Sequence, residues 1–229
     1  FDSYAFSNCP SLAEVIFPST LINISDYCFS YCTNLSSIIF PPNSFSTIGR
    51  GSFSSCTNLQ SVIFDSIVWV GPSSFSSCTG LKYVEFPPNV EIINESAFSY
   101  CRNLIEINLS EVRYIDRDAF YGCNSLPYLF VPPTTSVIGY SGFQYCTSLS
   151  NITFSYGIYH IDPYAFADCS SLQYVDFPES MDYISEYSFT RCTSMIWINI
   201  SKNIRVIKTY AFNSCTKLKE LVIPSNVRT

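Results

Sequence analysis

Cysteine is the residue type that could do most chemistry in this chain, because its spacing is regular. The sequence has 229 residues and 11 cysteines, and ten of these follow one another at steps of 22 to 24 residues. Regular thiols could form disulfides, bind zinc or act as nucleophiles. Zinc sites favour the spacing Cys-x-x-Cys, which is absent here. A catalytic histidine needs a nucleophile and an orienting group within reach; the single histidine, His160, has Cys169 nine residues on, but at a position of the cysteine repeat. We therefore expect no catalytic residue, no metal site and no cofactor.

The cysteines belong to a repeat, Phe-x-x-Cys-x-x-Leu, which occurs ten times along the whole chain with Met195 replacing one leucine. The phenylalanines of the ten copies are Phe6, Phe29, Phe53, Phe75, Phe98, Phe120, Phe143, Phe166, Phe189 and Phe212. Self-similarity at a period of roughly 20–50 residues is typical of solenoids, whose stacked units bury one continuous core. The repeat therefore predicts a single domain over residues 1–229.

A short strand is predicted after the leucine of each repeat. Val84 and Phe86 face one side of such a segment while Tyr83 and Glu85 face the other, and this period of two is typical of a strand. Proline follows the segment closely in six repeats and should end the strand there, because it has no N–H to donate. These prolines are Pro18, Pro41, Pro87, Pro132, Pro178 and Pro224.

The other half of each repeat has helical spacing. Ile93, Ala97, Phe98, Cys101 and Leu104 recur with a period near three, which predicts a short α or 3₁₀ segment. Only the loop after the strand varies in length, so the register of the core is kept. The fold class predicted is α/β: a right-handed solenoid of about ten coils. Its parallel sheet should lie on the concave side and its helical or 3₁₀ turns on the convex side.

The unit Ile-x-x-x-Ala-Phe-x-x-Cys-x-x-Leu-x-x-Ile-x-Phe-Pro resembles the leucine-rich repeat of the BspA-like type, and residues 161–172 match it closely. The resemblance covers all 229 residues and implies a leucine-rich-repeat horseshoe. It also implies a family rich in surface proteins of bacteria and of parasitic or mucosal protists, generally treated as adhesins or host-interaction proteins. The array starts in phase at Phe1 and shows no polar end caps or signal peptide, so we expect a segment of a longer protein.

The cysteine column is predicted to be a ladder of small, buried, reduced thiols. Disulfides are the less favoured alternative, because parallel side chains on stacked coils hold the Cβ atoms wider apart than a bridge prefers. His160 is predicted to be an exposed loop residue. Asp162 before Pro163 is interpreted as the N-cap of a helical turn.

Composition excludes several classes of protein. The net charge of −6 and pI near 4.7 give no basic footprint for nucleic acid. Apolar residues make up 47% of the chain, which excludes disorder. No apolar run approaches the roughly 20 residues of a membrane-spanning helix, so this segment should not insert into a membrane.

Two rows of outward strand positions vary freely while the core positions hardly change, so the concave face is the best candidate for binding. Exposed tyrosine and tryptophan supply large contact areas with few rotatable bonds. The predicted binding residues are Tyr83, Glu85, Tyr128, Phe130, Tyr174, Asp176 and Trp197. The alternative is that such residues only stabilise the sheet as cross-strand neighbours. Ile16, Ile39 and Ile63 should form an apolar ridge on the same face.

Six Asn-x-Ser/Thr sequons occur, at Asn23, Asn34, Asn94, Asn108, Asn151 and Asn199. Three of them, Asn108, Asn151 and Asn199, fall on outward strand positions. Either these three carry no glycan or this face is not the binding site.

Three functions remain open at this point. The first is a non-enzymatic adhesion or recognition module, at the cell surface or secreted, that binds a host protein or glycan. The second is an intracellular, cytoplasmic scaffold that binds protein partners with the same geometry. The third is a structural spacer without a ligand. Composition and spacing do not define the oligomeric state.

Overall fold

The computed structural model describes residues 1–40, 46–64 and 67–228, so that Pro41 lies outside the described residues. Nine successive coils each contribute two strands. The first strands of the coils are β1 (Glu14–Ile16), β3 (Ser37–Ile39), β5 (Ser61–Ile63), β7 (Tyr83–Glu85), β9 (Glu106–Asn108), β11 (Tyr128–Val131), β13 (Asn151–Phe154), β15 (Tyr174–Asp176) and β17 (Trp197–Asn199). We call these nine strands the first ladder.

A second ladder of short strands lies at the aliphatic position of each repeat, where a helical segment was expected. Its members are β2 (Asn23–Ile24), β4 (Ser46–Ile48), β6 (Ile67–Val70), β8 (Ile92–Ile93), β10 (Tyr114–Ile115), β12 (Val137–Ile138), β14 (His160–Ile161), β16 (Tyr183–Ile184) and β18 (Val206–Ile207). Pairing within both ladders is parallel, and equivalent residues of adjacent coils face each other, as Val84 faces Ile107. The parallel-stranded solenoid predicted from the repeat is thus confirmed.

The predicted helical turns are absent from the described residues, where the segment around each phenylalanine forms tight turns instead. Ser73 and Ser77, two residues on either side of Phe75, have left-handed backbone with φ of 54° and 61°. The N–H groups of Ser73, Phe75 and Ser77 donate to the next coil over 2.7–2.8 Å. Those of the intervening residues bond within the coil, so no unbroken run of helical hydrogen bonds can form. Asp162 and Pro163 therefore precede such a turn, not a helix.

The core lies between the ladders and the turns and consists of columns of like residues. Ten phenylalanines stack from Phe6 to Phe212 with ring centroids 5.1–5.6 Å apart and ring planes within 17° of parallel. The seven from Phe53 to Phe189 have no exposed surface. Each coil therefore covers the apolar face of its neighbour, as the repeat predicted.

The second ladder is interrupted at two places, and a side chain fills the gap at each. In regular coils the residue after the aliphatic position donates its N–H to the preceding coil, as Asp116 does to Ile93 over 2.9 Å. Strands β6 and β8, and likewise β14 and β16, belong to separate sheets. There Asn94 Nδ2 donates to the Val70 carbonyl over 2.7 Å, and Ser185 Oγ donates to that of Ile161. These side chains replace the missing backbone bonds between coils.

Candidate binding face

The outward positions of the first ladder form two rows, as the alternating pattern predicted. In the first row Tyr128 pairs with Asn151, Asn151 with Tyr174, and Tyr174 with Trp197. In the second row Phe130 pairs with Thr153, and Asp176 pairs with Asn199. Each strand contributes to two rows because its successive side chains alternate between core and solvent. The rows run along the stack because adjacent strands pair in register.

Five of the seven predicted binding residues lie together on this face. Tyr128 and Phe130 on β11 are 45% and 49% exposed, and Tyr174 on β15 and Trp197 on β17 are 44% and 47% exposed. Asp176, also on β15, is exposed and accepts a hydrogen bond from Asn199 Nδ2 over 2.7 Å. We call the four aromatic residues among these five the aromatic patch, and Asp176 lies beside it. Large rings that keep nearly half of their surface in water can contribute more apolar contact when a partner covers them.

The other two predicted residues lie on a different section of the sheet. Tyr83 and Glu85 belong to β7, which is paired with β5 and β9, whereas the aromatic patch is carried by a sheet that begins at β11. Tyr83 is half-buried, and its hydroxyl donates to Glu85 Oε2 over 3.0 Å. This hydrogen bond to Glu85 is the main cause that raises the pKa of Tyr83. Tyr83 and Glu85 therefore form a hydrogen-bonded pair that lies apart from the aromatic patch.

A proline separates these two sections. Just before several strands an N–H donates to the preceding coil, as Ile105 does to Lys82 over 3.0 Å and Ser150 does to Pro127 over 2.9 Å. Pro127 occupies the equivalent position before β11 and has no N–H, so it cannot donate to Ile105. Strands β9 and β11 belong to separate sheets here. Strands β3 and β5 are separated too, although Gln60 and not a proline occupies the position before β5.

An open cavity of about 590 Å³ adjoins the carboxyl-terminal ends of β15 and β17. Asp176 and Asn199 contribute one wall, and Lys202 and Val222 lie among the other lining residues. The Lys202 ammonium is paired with Glu179 over 2.9 Å, and both side chains are exposed. The cavity lies beside the aromatic patch and is lined by both polar and apolar residues.

Two exposed carboxylates of the same face are not among the predicted binding residues. Glu14 on β1 and Glu106 on β9 occupy outward positions of the first row and are exposed. The sequence carries a signal for them, because the two outward rows contain acidic residues but no lysine or arginine. This bias in charge could have pointed to the carboxylates.

The apolar ridge predicted at the amino-terminal end is present as exposed side chains. Ile16, Ile39 and Ile63 are 70%, 48% and 62% exposed. Ile16 pairs with Ile39, while Ile63 lies on the next sheet section, where it pairs with Glu85. The ridge and the aromatic patch therefore lie on different sections of the ladder.

His160 is not the exposed loop residue that was predicted. It begins β14, and 32% of its side chain is exposed. Its Nε2 lies 2.5 Å from Asp162 Oδ1, and its ring also bonds to the Tyr183 hydroxyl of the next coil. Since β14 pairs with β12 in register, the position is fixed by the second ladder.

The thiol column has the buried, reduced character that the repeat predicted. All 11 cysteines are free thiols, and all but Cys9 are buried. In nine coils the cysteine Sγ donates to the carbonyl of the phenylalanine in the preceding coil over 3.1–3.4 Å. Burial raises the pKa of Cys56 and Cys146 to about 12. Such thiols stay protonated at neutral pH and make poor nucleophiles.

The described part of the chain has neither a cluster of metal ligands nor a membrane-spanning helix. No group of three or more His, Cys, Asp or Glu residues within it could hold a metal ion. No described segment forms a helix long and apolar enough to cross a membrane.

The sequons differ in their surroundings. Asn94 is buried, with 7% of its surface exposed, and its amide nitrogen is engaged with Val70. Asn151 and Asn199 are exposed outward residues, and Asn199 bonds to Asp176. A glycan on Asn94 would therefore require that its hydrogen bond to the neighbouring coil be broken, whereas Asn151 is accessible.

Comparison with known proteins identifies the family. The model of the BspA type leucine-rich repeat region (6 copies) matches residues 1–127 and 113–229, so the chain belongs to this family. No curated protein matches the chain.

Solved structures share the fold. A leucine-rich cell surface protein from Faecalibacterium prausnitzii A2-165 is 24% identical, with a TM-score of 0.62 over 99% of this chain and 77% of that one. A leucine-rich repeat protein from Eubacterium ventriosum is 18% identical, with a TM-score of 0.59 over 94% and 80%. The pneumococcal vaccine antigen PcpA is 20% identical, with a TM-score of 0.50 over 94% and 57%. These likenesses establish a leucine-rich-repeat solenoid.

Proposed function

We propose that this protein is a non-enzymatic binding or adhesion module of a cell surface, and that it binds a protein through the aromatic patch. The observation that carries the proposal is the patch itself. Tyr128, Phe130, Tyr174 and Trp197 are rigid, large and nearly half exposed on one continuous four-stranded sheet. Interfaces are enriched in tyrosine and tryptophan, and solenoids bind along extended surfaces of this kind.

The localisation is supported by one of the fold relatives, a protein described as a leucine-rich cell surface protein. Antibody raised against this chain should label intact source cells. Labelling that requires permeabilisation of the cells would contradict the proposal and favour an intracellular scaffold.

Binding should be tested against a panel of immobilised extracellular proteins and glycans, using a matched pair of double variants. Tyr174→Ser/Trp197→Ser removes two rings of the patch, while Tyr156→Ser/Tyr159→Ser removes two exposed rings elsewhere, 78% and 55% exposed. For proteins of the panel that bind the wild-type chain, we expect the first variant to weaken binding about tenfold or more. The second should leave binding unchanged. Equal binding by both variants, or binding to glycans alone, would contradict the proposed site or partner class.

A further inference from the structure

The charges on the binding face have one sign. Four carboxylates, Glu14, Glu85, Glu106 and Asp176, occupy outward positions of the first ladder, and all four are exposed. The chain contains 12 lysines and arginines, and none of them occupies either outward row. A surface that gathers carboxylates while basic residues are kept off it produces a negative potential towards solvent.

The carboxylates of this face are also without cationic partners among the described residues. The four ion pairs of that part of the chain join Glu91 to Arg113, His160 to Asp162, Asp168 to Arg191 and Glu179 to Lys202. None of these acids lies in an outward row of the first ladder. The face carboxylates accept hydrogen bonds from neutral groups instead: Glu14 from Ser37 at 3.4 Å, Glu85 from Tyr83 and Asp176 from Asn199. Their negative charge is available to a ligand.

The aromatic rings stand beside these carboxylates. Trp197 pairs with Tyr174, and Asp176 lies two residues further along the strand of Tyr174. Asp176 and Trp197 are therefore diagonal neighbours on one face. Their Cα atoms should be about 8 Å apart, because paired strands lie about 4.8 Å apart and two residues rise about 6.6 Å along a strand. A guanidinium group can stack on an aromatic ring while its N–H fork bonds to a carboxylate, and an ammonium group matches this combination less well.

We propose that the partner of this face is an arginine-containing, positively charged protein segment. The inference rests on the proposed function and names the chemistry of its partner. Arginine side chains stack on Trp197 and Tyr174 and pair with Asp176, while Glu106 and Glu85 attract the segment along the ladder. Charge complementarity of this kind raises the association rate and makes it sensitive to salt.

The test uses the full chain and three synthetic probes: a peptide of six Arg-Gly units, its Lys-Gly counterpart and its citrulline-Gly counterpart. Citrulline keeps the shape of arginine without the charge. We compare Glu106→Gln/Asp176→Asn with Glu111→Gln/Asp182→Asn, whose acids are exposed but lie outside the outward rows. Both double variants raise the net charge by two, so a non-specific attraction would weaken equally in both.

The inference predicts that the arginine peptide binds, that the lysine peptide binds more weakly and that the citrulline peptide does not bind. It also predicts that the face variant weakens arginine-peptide binding about tenfold, and the matched variant less than about twofold. Equal weakening in both variants, equal binding of lysine and arginine peptides, or retained citrulline binding would overturn it.

The two proposals can fail separately. If Tyr174→Ser/Trp197→Ser abolishes binding to the panel proteins while Glu106→Gln/Asp176→Asn leaves it intact, the binding face stands and the cationic partner is wrong. If neither variant changes binding to the panel proteins, both proposals are wrong.

Discussion

The phenylalanine column and the aromatic patch both consist of aromatic side chains, but they differ in burial and in how strictly the residue type recurs. Inside, the same residue recurs in every coil, and the central seven rings have no exposed surface. Outside, equivalent positions in adjacent coils hold Tyr128, Asn151, Tyr174 and Trp197, although their backbones pair in register. The backbone conformation therefore repeats in the core and on the outward face. The residue type repeats only in the core, where each side chain packs against the same residue of the neighbouring coil.

This difference separates what folds the chain from what it presents. A ring in the column touches its own copy above and below, so changing one ring disturbs two interfaces. An outward residue touches its cross-strand neighbours more loosely and is free to differ. Changes in the column should therefore lower stability, while changes in the patch should alter binding.

The largest effect is expected from alkaline pH, because it acts on the whole thiol column at once. Burial raises the pKa of ten cysteines above the ordinary value of 9.0. The folded state thus favours the neutral thiol, and its stability is fully present below about pH 9. It should be lost progressively as the pH rises from 9 towards 12. Urea unfolding at several pH values would show this loss, and constant stability up to pH 11 would contradict the buried column.

Replacement of one ring of the column should have the next largest effect. Phe98 has no exposed surface and is stacked between Phe75 and Phe120 at 5.4 and 5.6 Å. Phe98→Ala should lower the free energy of unfolding by about 3–5 kcal/mol. Phe130→Ala, in the patch, should cost less than about 1 kcal/mol. Similar shifts of the urea midpoint for the two variants would break the distinction between column and patch.

Removal of one buried sulfur should cost less. Cys123→Ser places a hydroxyl in the core, although its O–H can still donate to the Phe98 carbonyl that now accepts from Sγ at 3.3 Å. We expect a loss of about 1–3 kcal/mol, measured by urea unfolding. Cys9→Ser, at a half-buried thiol, is the control and should cost less. Full native stability of Cys123→Ser would contradict the role of the column.

The smallest effect on stability is expected from the patch. Tyr174→Ser/Trp197→Ser removes two exposed rings whose cross-strand contacts stabilise the sheet by about 0.2–1 kcal/mol each. The Tm should therefore remain nearly unchanged. A large drop in Tm would mean that these rings act as packing groups, which is the alternative to a binding role.

The parts of the fold that could be predicted from the sequence follow from residue identity repeated at a fixed period. The Phe and Cys columns, the strands such as β7 and the two outward rows were all predicted and are confirmed. Each depends on which side chains are apolar and how they alternate, and both are visible in the sequence.

The turns could not be predicted, because their signal is backbone conformation and not composition. Left-handed φ falls mainly on Tyr, Ser, Asp and Arg residues, such as Tyr164 at 61° and Arg191 at 57°, whereas glycine, the usual sign, occupies only two such positions in the described part of the chain. The second ladder was missed because two-residue strands such as β14 have no period to detect. Tyr83 is separated from the patch at Pro127, which has no N–H to donate to the preceding coil. The separation of β3 from β5 involves no proline and has no comparable signal in the sequence.

Footprinting of the complex tests the central claim most directly. The chain would be labelled by hydroxyl radicals, free and bound to the strongest protein of the panel, and modified residues counted by mass spectrometry. We predict reduced labelling at Tyr128, Tyr174 and Trp197, with Tyr145 and Tyr156 unchanged. Protection at Tyr145 or Tyr156, with the patch still labelled, would show that binding occurs on another surface and would contradict the proposed face.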